Sequence, residues 1–165
     1  MPRTDTDRLA LRWIIALLRE LDVPHQAVGG LAARAYGATR PLADFDFYVP
    51  ARTLPDLARA AGSYVVRPPS HHRDAWWDLV FMKIEYAGRE IELAGAEDTR
   101  FFDGAAGEWR DARVDFAASL AKEVCGVAVP VMPLAQLIAY KRALGREVDH
   151  QDVVEMLAAQ SRSGE

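Results

Sequence analysis

The sequence is poor in the residues that mark several classes of protein. It has one cysteine, Cys125, so it forms no internal disulfide, and this favours a reducing compartment. The apolar segment near the start is interrupted by Arg12, Arg19 and Glu20, which argues against a signal peptide or a membrane span. The four histidines lack the spacing of a zinc site. These absences predict a cytoplasmic, globular protein with no membrane partner.

Lysine is also scarce. Only three of the twenty basic residues are lysines, at positions 83, 122 and 141. In an arginine-rich chain, a lysine is a weak sign that a compact ammonium group is needed at that position. The net charge of −4 gives no broadly basic surface, so nucleic acid is not a favoured partner.

The apolar periodicity predicts an α+β domain with a mixed sheet. Helices are predicted over residues 6–21, 31–36, 53–61, 133–144 and 149–159. Strands are predicted over residues 25–28, 45–49, 63–66, 79–86, 89–93, 114–124 and 127–132. Residues 67–74 are expected to form a polar loop, and residues 95–112 are expected to be irregular.

Two short motifs stand at a fixed distance in the first third of the chain. Val28-Gly29-Gly30 is followed by thirteen residues and then by Asp44-Phe45-Asp46. Alternate residues of a strand point to the same face, so Asp44 and Asp46 project together while Phe45 points away. Neighbouring carboxylates repel each other unless a cation binds between them. The aspartates therefore indicate a metal site.

The glycine pair complements that site. It lies between an apolar strand and a helix, where bare backbone N–H groups can bind phosphate oxygens. A phosphate-binding turn beside two metal-binding carboxylates is the arrangement needed for metal-assisted phosphoryl or nucleotidyl transfer.

These motifs resemble the signature of the DNA polymerase beta-type nucleotidyltransferase superfamily, an apolar residue with Gly-Gly or Gly-Ser followed by Asp-apolar-Asp-apolar. The longer pattern, through Gly37-Ala38-Thr39-Arg40, is similar to a small bacterial branch with antibiotic nucleotidyltransferases and abortive-infection and toxin–antitoxin enzymes. Residues 25–50 carry the likeness, and residues 133–152 extend it more weakly.

The resemblance implies a single nucleotidyltransferase-like domain over residues 1–165. Its core would span about 24–132, a mixed sheet flanked by helices, and C-terminal helices over about 133–160 would close the cleft. The implied activity is Mg²⁺-dependent transfer of NMP from an NTP to a hydroxyl acceptor.

The resemblance also assigns metal ligands. Two Mg²⁺ ions would be bound by Asp44, Asp46 and a third carboxylate from a neighbouring strand. Glu92, an acid between apolar residues of a predicted strand, is the chosen third ligand, and Glu90 on the same face is the alternative. The Glu92 oxygens are expected about 4–6 Å from those of Asp44 or Asp46. The family more often has Asp at the third position, so this chain departs from its pattern.

Nucleotide-binding residues follow from the same likeness. Gly29 and Gly30 would bind phosphate, Arg40 would contact the triphosphate or the acceptor, and Lys141 would close the nucleotide site. The alternative is that Arg40 and Lys141 are solvated surface cations. Asp149 is expected to cap the last helix and to pair with a nearby cation.

The sequence leaves the acceptor open. A small molecule such as an antibiotic, a protein side chain in a toxin–antitoxin pair, and a tRNA end all carry hydroxyl groups. A different class of function is a catalytically inactive module that keeps the fold and binds a cognate protein partner. The glutamate at the third ligand position is the feature that favours this class.

Overall fold

The computed structural model describes residues 2–164, which contain five α-helices and nine strands. The helices are α1 (Arg3–Glu20), α2 (Gly29–Ala35), α3 (Leu54–Ala61), α4 (Leu134–Leu144) and α5 (Glu147–Ser163). The strands are β1 (Gln26–Val28), β2 (Phe45–Val49), β3 (Val65–Arg73), β4 (Trp77–Tyr86), β5 (Arg89–Gly95), β6 (Arg100–Asp103), β7 (Glu108–Asp111), β8 (Leu120–Val124) and β9 (Val127–Val131). The predicted α+β class is confirmed.

The strands form one mixed sheet in the order β7-β6-β4-β5-β2-β1-β9-β8, and β3 pairs with β4 outside that path. β2 is central. It pairs antiparallel with β1 and parallel with β5, in the register Asp46 opposite Glu92. The two strands therefore present neighbouring residues on the same face of the sheet.

The core lies on the face opposite the aspartates. Phe45 and Phe47 are fully buried there, together with the apolar side of α1, as the alternation along β2 predicts. Burying both rings requires Asp44 and Asp46 to point to the other face. The hydrophobic pattern thus fixes the direction of the acids.

Two segments that were predicted to be a loop or irregular form strands, and the predicted strand over residues 114–124 begins only at Leu120. Residues 67–74 form most of β3 rather than a loop, because the backbone pairs with β4 from Arg67 to Arg73 despite Pro68 and Pro69. The register of this pairing shifts around the prolines, as expected where a proline removes a ladder hydrogen bond. β6 and β7 form a hairpin within the supposedly irregular residues 95–112.

The start of the last helix also differs from the prediction. α5 begins at Glu147, and Asp149 lies at its third position rather than at the cap. The Asp149 carboxylate accepts a hydrogen bond from the backbone N–H of Arg146, so it still stabilises the helix start. Within residues 2–164, every helix is too short or too polar to span a bilayer.

Candidate active site

The glycine turn (Gly29–Gly30) joins β1 to α2. Gly29 has a φ of +61°, a conformation that favours glycine. A Cβ atom on Gly29 would lie 2.7 Å from Oδ2 of Asp46, and one on Gly30 would lie 3.0 Å from Nη2 of Arg40. The residue before the helix, Val28, has no side-chain group to cap it, so the first N–H groups of the turn remain available. The turn therefore lies between an acid on one side and a cation on the other.

Four acids form a carboxylate cluster (Asp44, Asp46, Glu90 and Glu92). One oxygen each from Asp44, Glu90 and Glu92 lies within 4.8 Å of the other two. Asp46 lies beside Glu92 through the parallel pairing of β2 and β5. Glu92 thus lies at the expected distance from Asp44, and Glu90, the alternative, is close as well.

The cluster carries unfavourable electrostatics of its own. Burial raises the pKa of Asp44, and the charge of Glu92 raises it further. Burial likewise raises the pKa of Asp46 well above its usual range, and the neighbouring charges of Asp44 and Glu92 add to this. Groups that resist ionisation in this way gain most from a cation bound among them.

One cation of the chain already contacts the cluster. The Nζ atom of Lys83 lies 3.7 Å from Oε2 of Glu90 and 3.7 Å from Oε1 of Glu92. Lys83 is on β4, directly opposite Glu92 in the antiparallel register. The rarity of lysine was visible in the sequence, but the position of this lysine was not.

A second charged group, the charge chain (Arg40, Asp152, Lys141, Asp149 and Arg146), links the loop after α2 to the C-terminal helices. Arg40 donates two hydrogen bonds to the carboxylate of Asp152, at 2.8 and 2.9 Å. The ammonium of Lys141 lies 2.9 Å from Asp152 and 3.4 Å from Asp149. Arg146 donates to both oxygens of Asp149, at 2.7 and 3.1 Å.

Three side chains of the charge chain are shielded from solvent, so they depend on one another for ion pairing. The side chains of Asp149 and Asp152 are fully buried, and that of Lys141 is 1% exposed. Burial acts to raise the pKa of Asp152, but hydrogen bonds from Arg40 and Lys141 outweigh it and lower that pKa. Lys141 is therefore a buried, paired cation and not a solvated one.

A cavity of about 410 Å³ brings these groups together. Its polar wall is formed by Gly29, Gly30, Arg40, Asp44, Asp46, Glu92, Lys141 and Arg146. Its more apolar wall is formed by Trp77, Leu79, Phe81, Tyr140, Leu144 and Val148. Trp77 is held in place by a 2.8 Å hydrogen bond from its indole N–H to the hydroxyl of Tyr140, and the guanidinium of Arg146 lies 4.6 Å from the centre of its ring.

Solved structures provide the comparison. A candidate nucleotidyltransferase from Thermotoga maritima (TM1012) is 21% identical, with a TM-score of 0.70 and 96% of each chain covered. The lincosamide antibiotic adenylyltransferase LnuA, solved with lincomycin bound, is 12% identical, with a TM-score of 0.58 over 90% of this chain and 95% of its own. The antibiotic-resistance factor ANT(2'')-Ia is 16% identical, with a TM-score of 0.50 over 99% and 95%.

The chain has the nucleotidyltransferase fold. No protein-family model matches the sequence, and no curated protein matches it. The likeness thus lies in the arrangement of the strands and helices rather than in overall sequence identity.

Within this fold, the seven residues that the family likeness assigned to metal or nucleotide all line the cavity, and they come from five separate elements and loops. Glu90, the alternative ligand, does not line the cavity, but one of its oxygens lies within 4.8 Å of oxygens of Asp44 and Glu92. The solvated alternative is wrong for Lys141, whose side chain is 1% exposed, whereas Arg40 is 22% exposed but paired with the buried Asp152.

Two contacts of the site were missed in the sequence. One is the position of Lys83 against the carboxylates, and the other is the role of Asp152 as the acid that joins Arg40 to Lys141. Helical spacing places Asp149 and Asp152 on one face of α5 and could have signalled a shared role. Their partners come from elsewhere in the chain, so spacing alone does not identify them.

The donor set of the carboxylate cluster suits a hard divalent cation, because its ligands are all carboxylate oxygens, the type that Mg²⁺ binds in proteins. His72 also lines the cavity, but its Nε2 atom lies 3.0 Å from Oδ2 of Asp74 and so pairs outside the cluster. Burial raises the pKa values of Asp44 and Asp46, and the charge of Glu92 raises both further, which a bound cation would relieve. The residues present therefore fit the metal that nucleotidyl transfer requires.

Proposed function

We propose that the protein is an Mg²⁺-dependent nucleotidyltransferase that moves NMP from an NTP to a hydroxyl acceptor. The observation that carries this proposal is the shared cavity. It combines the glycine turn, the carboxylate cluster and the charge chain around about 410 Å³. Few other chemistries need backbone N–H donors, convergent carboxylates and buried cations around one space.

Asp44, Asp46 and Glu92 hold the metal in this proposal, with two ions during transfer. Bound Mg²⁺ lowers the pKa of the acceptor hydroxyl and neutralises charge on the triphosphate and on the departing pyrophosphate. The burial of Phe45 and Phe47 on the opposite face orients both aspartate side chains toward the cavity. Glu92 points to the same side because it pairs in register with Asp46.

The phosphates bind between the glycine turn and the charge chain. The turn supplies backbone N–H donors without a side chain to obstruct them. The charge chain has three cations (Arg40, Lys141 and Arg146) and two carboxylates (Asp149 and Asp152), so it keeps a net charge of +1. An NTP brings about four negative charges, and this surplus cation favours its binding.

In this proposal the acceptor is a small molecule that carries a hydroxyl group. LnuA, whose structure holds lincomycin, has the same fold. The apolar wall with Trp77, Leu79 and Phe81 offers a surface for a flat or apolar body. Protein side chains and RNA ends stay as alternative acceptors.

Incubation with each labelled NTP and cell lysate tests the proposal. We expect Mg²⁺-dependent label in one class of product and none with Asp46→Asn. Parallel calorimetry measures NTP binding with and without Mg²⁺. Absence of both transfer and Mg²⁺-dependent binding would reject the enzyme in favour of an inactive module.

The contacts of Lys83 are the observation that favours a catalytically inactive binding module as the second candidate, because they partly neutralise Glu90 and Glu92 without metal.

A further inference from the structure

Lys83 is the one cation of residues 2–164 that forms ion pairs with the carboxylate cluster. It is equidistant from Glu90 and Glu92, at 3.7 Å from an oxygen of each. Glu92 belongs at the same time to the group of oxygens that converge with Asp44. Glu92 thus faces two possible cations, the ammonium of Lys83 and a divalent ion.

The position of Lys83 is fixed by the sheet and not by a loop. Lys83 and Glu92 are direct partners of antiparallel strands, and the flanking residues Met82 and Ile84 are fully buried on the opposite face. Cross-strand partners have Cβ atoms about 5 Å apart. Lys83 therefore cannot leave the neighbourhood of Glu92, although its ammonium group can move.

We propose that Lys83 is a built-in cation that competes with divalent metal for Glu92 and Glu90. It is a positioning residue that lowers the metal affinity of the pocket in the absence of nucleotide. The triphosphate offsets its charge, so metal and nucleotide bind together rather than metal alone. This inference rests on the metal site of the proposed function, but it requires neither an acceptor nor transfer.

The ion pairs of Lys83 with Glu90 and Glu92 are weak enough for a divalent ion to replace them. The Lys83 side chain is 29% exposed and the Glu90 side chain 47%, and such partly exposed ion pairs are weak. A divalent ion can thus displace the ammonium. A unit positive charge at about 5 Å would still repel a divalent ion. At the dielectric constant of water this repulsion corresponds to on the order of tenfold in affinity.

Mn²⁺ titration of the nucleotide-free protein, followed by electron paramagnetic resonance of the free ion, tests the proposal. Lys83→Met keeps most of the length of the side chain and removes its charge, and we expect Mn²⁺ to bind on the order of tenfold more tightly. Lys83→Arg should stay close to wild type. Lys122→Met is the control, because it removes the same charge from β8, outside the cavity. Unchanged or weaker Mn²⁺ binding by Lys83→Met would overturn the proposal.

Two further arms make the result specific. In the Asp44→Asn background Mn²⁺ binding should weaken both with and without Lys83→Met, since the ion then lacks a ligand. Mn²⁺ binding that is unaffected by Asp44→Asn would locate the ion elsewhere and reject the assignment. A non-hydrolysable ATP analogue should tighten Mn²⁺ binding more in wild type than in Lys83→Met, because its triphosphate offsets the charge of Lys83, which the variant lacks. Equal tightening would reject the role of Lys83 in joint binding.

These measurements also distinguish failure of the Lys83 proposal from failure of the proposed nucleotidyltransferase function. If wild type binds no nucleotide, the proposed function fails while the metal comparison still decides about Lys83. If Lys83→Met does not fold, Lys83→Gln replaces it, because its amide can still donate to Glu90 without a charge. Far-ultraviolet circular dichroism and chemical unfolding check each variant before titration.

Discussion

Oδ2 of Asp46 lies 2.7 Å from the point where a Cβ atom on Gly29 would stand. The two residues belong to different elements, the glycine turn and β2, yet the backbone of one and the carboxylate of the other share one space. A side chain at Gly29 would occupy that space. The proposed phosphate-binding turn and the proposed metal ligand Asp46 can therefore lie side by side because residue 29 is glycine.

Gly29→Ala should damage the site beyond the cost of backbone strain. A left-handed alanine costs about 1–2 kcal/mol, and the added Cβ must also displace the Asp46 carboxylate. Gly88→Ala is the matched control, because Gly88 has a φ of +73° and no heavy atom within 4 Å of an added Cβ. We expect both variants to lose stability in chemical unfolding, with Mn²⁺ binding weakened only in Gly29→Ala. Equal Mn²⁺ binding in the two variants would contradict this.

Asp44→Asn and Asp46→Asn should each abolish measurable transfer, because each removes a ligand of the proposed catalytic metal. The metal-free fold should remain intact or become slightly more stable, because one of two repelling carboxylates is gone. Initial rates with labelled NTP and chemical unfolding in a chelator measure the two effects. Asp98→Asn, an exposed acid outside the cavity, is the control. Full activity in both site variants would refute the metal-site assignment.

Asp152→Asn should destabilise the protein in a pH-dependent manner. The folded-state pKa of Asp152 lies below its ordinary value of 3.8, so its stabilising contribution is present above that value and is lost as the pH falls through the lowered pKa. We expect a loss of about 3–5 kcal/mol at pH 7 that narrows below about pH 4. Urea unfolding across this range measures it. Glu147→Gln, which changes an exposed acid on the same helix, should alter stability far less.

Lys141→Met should weaken both NTP binding and stability. Its ammonium contacts two buried carboxylates, and removal of one partner from such a group costs about 3–5 kcal/mol. NTP affinity should fall on the order of tenfold, because the charge chain loses its net positive charge. Calorimetry at a temperature where the variant is folded separates the two effects, with Lys122→Met as the control. Unchanged stability would mean that the contacts of Lys141 contribute little.

The sequence determined the central strand and the chemistry that it presents. Phe45 and Phe47 alternate with two aspartates, and only one orientation of β2 buries the rings. The glycine turn was readable only together with the aspartates, since a Gly pair by itself is a common turn. Local patterns of this kind depend on neighbours within a few residues.

Only the tertiary structure decided which distant groups meet. The pairing of β4 with β5 places Lys83 against Glu92, and the packing of α5 places Asp152 between Arg40 and Lys141. Neither contact is encoded in local spacing, because a charged residue looks the same in sequence whether it is solvated or buried. Burial and pairing depend on how distant segments pack around the cavity, which brings Lys83 to Glu92 and Asp152 to Arg40 and Lys141.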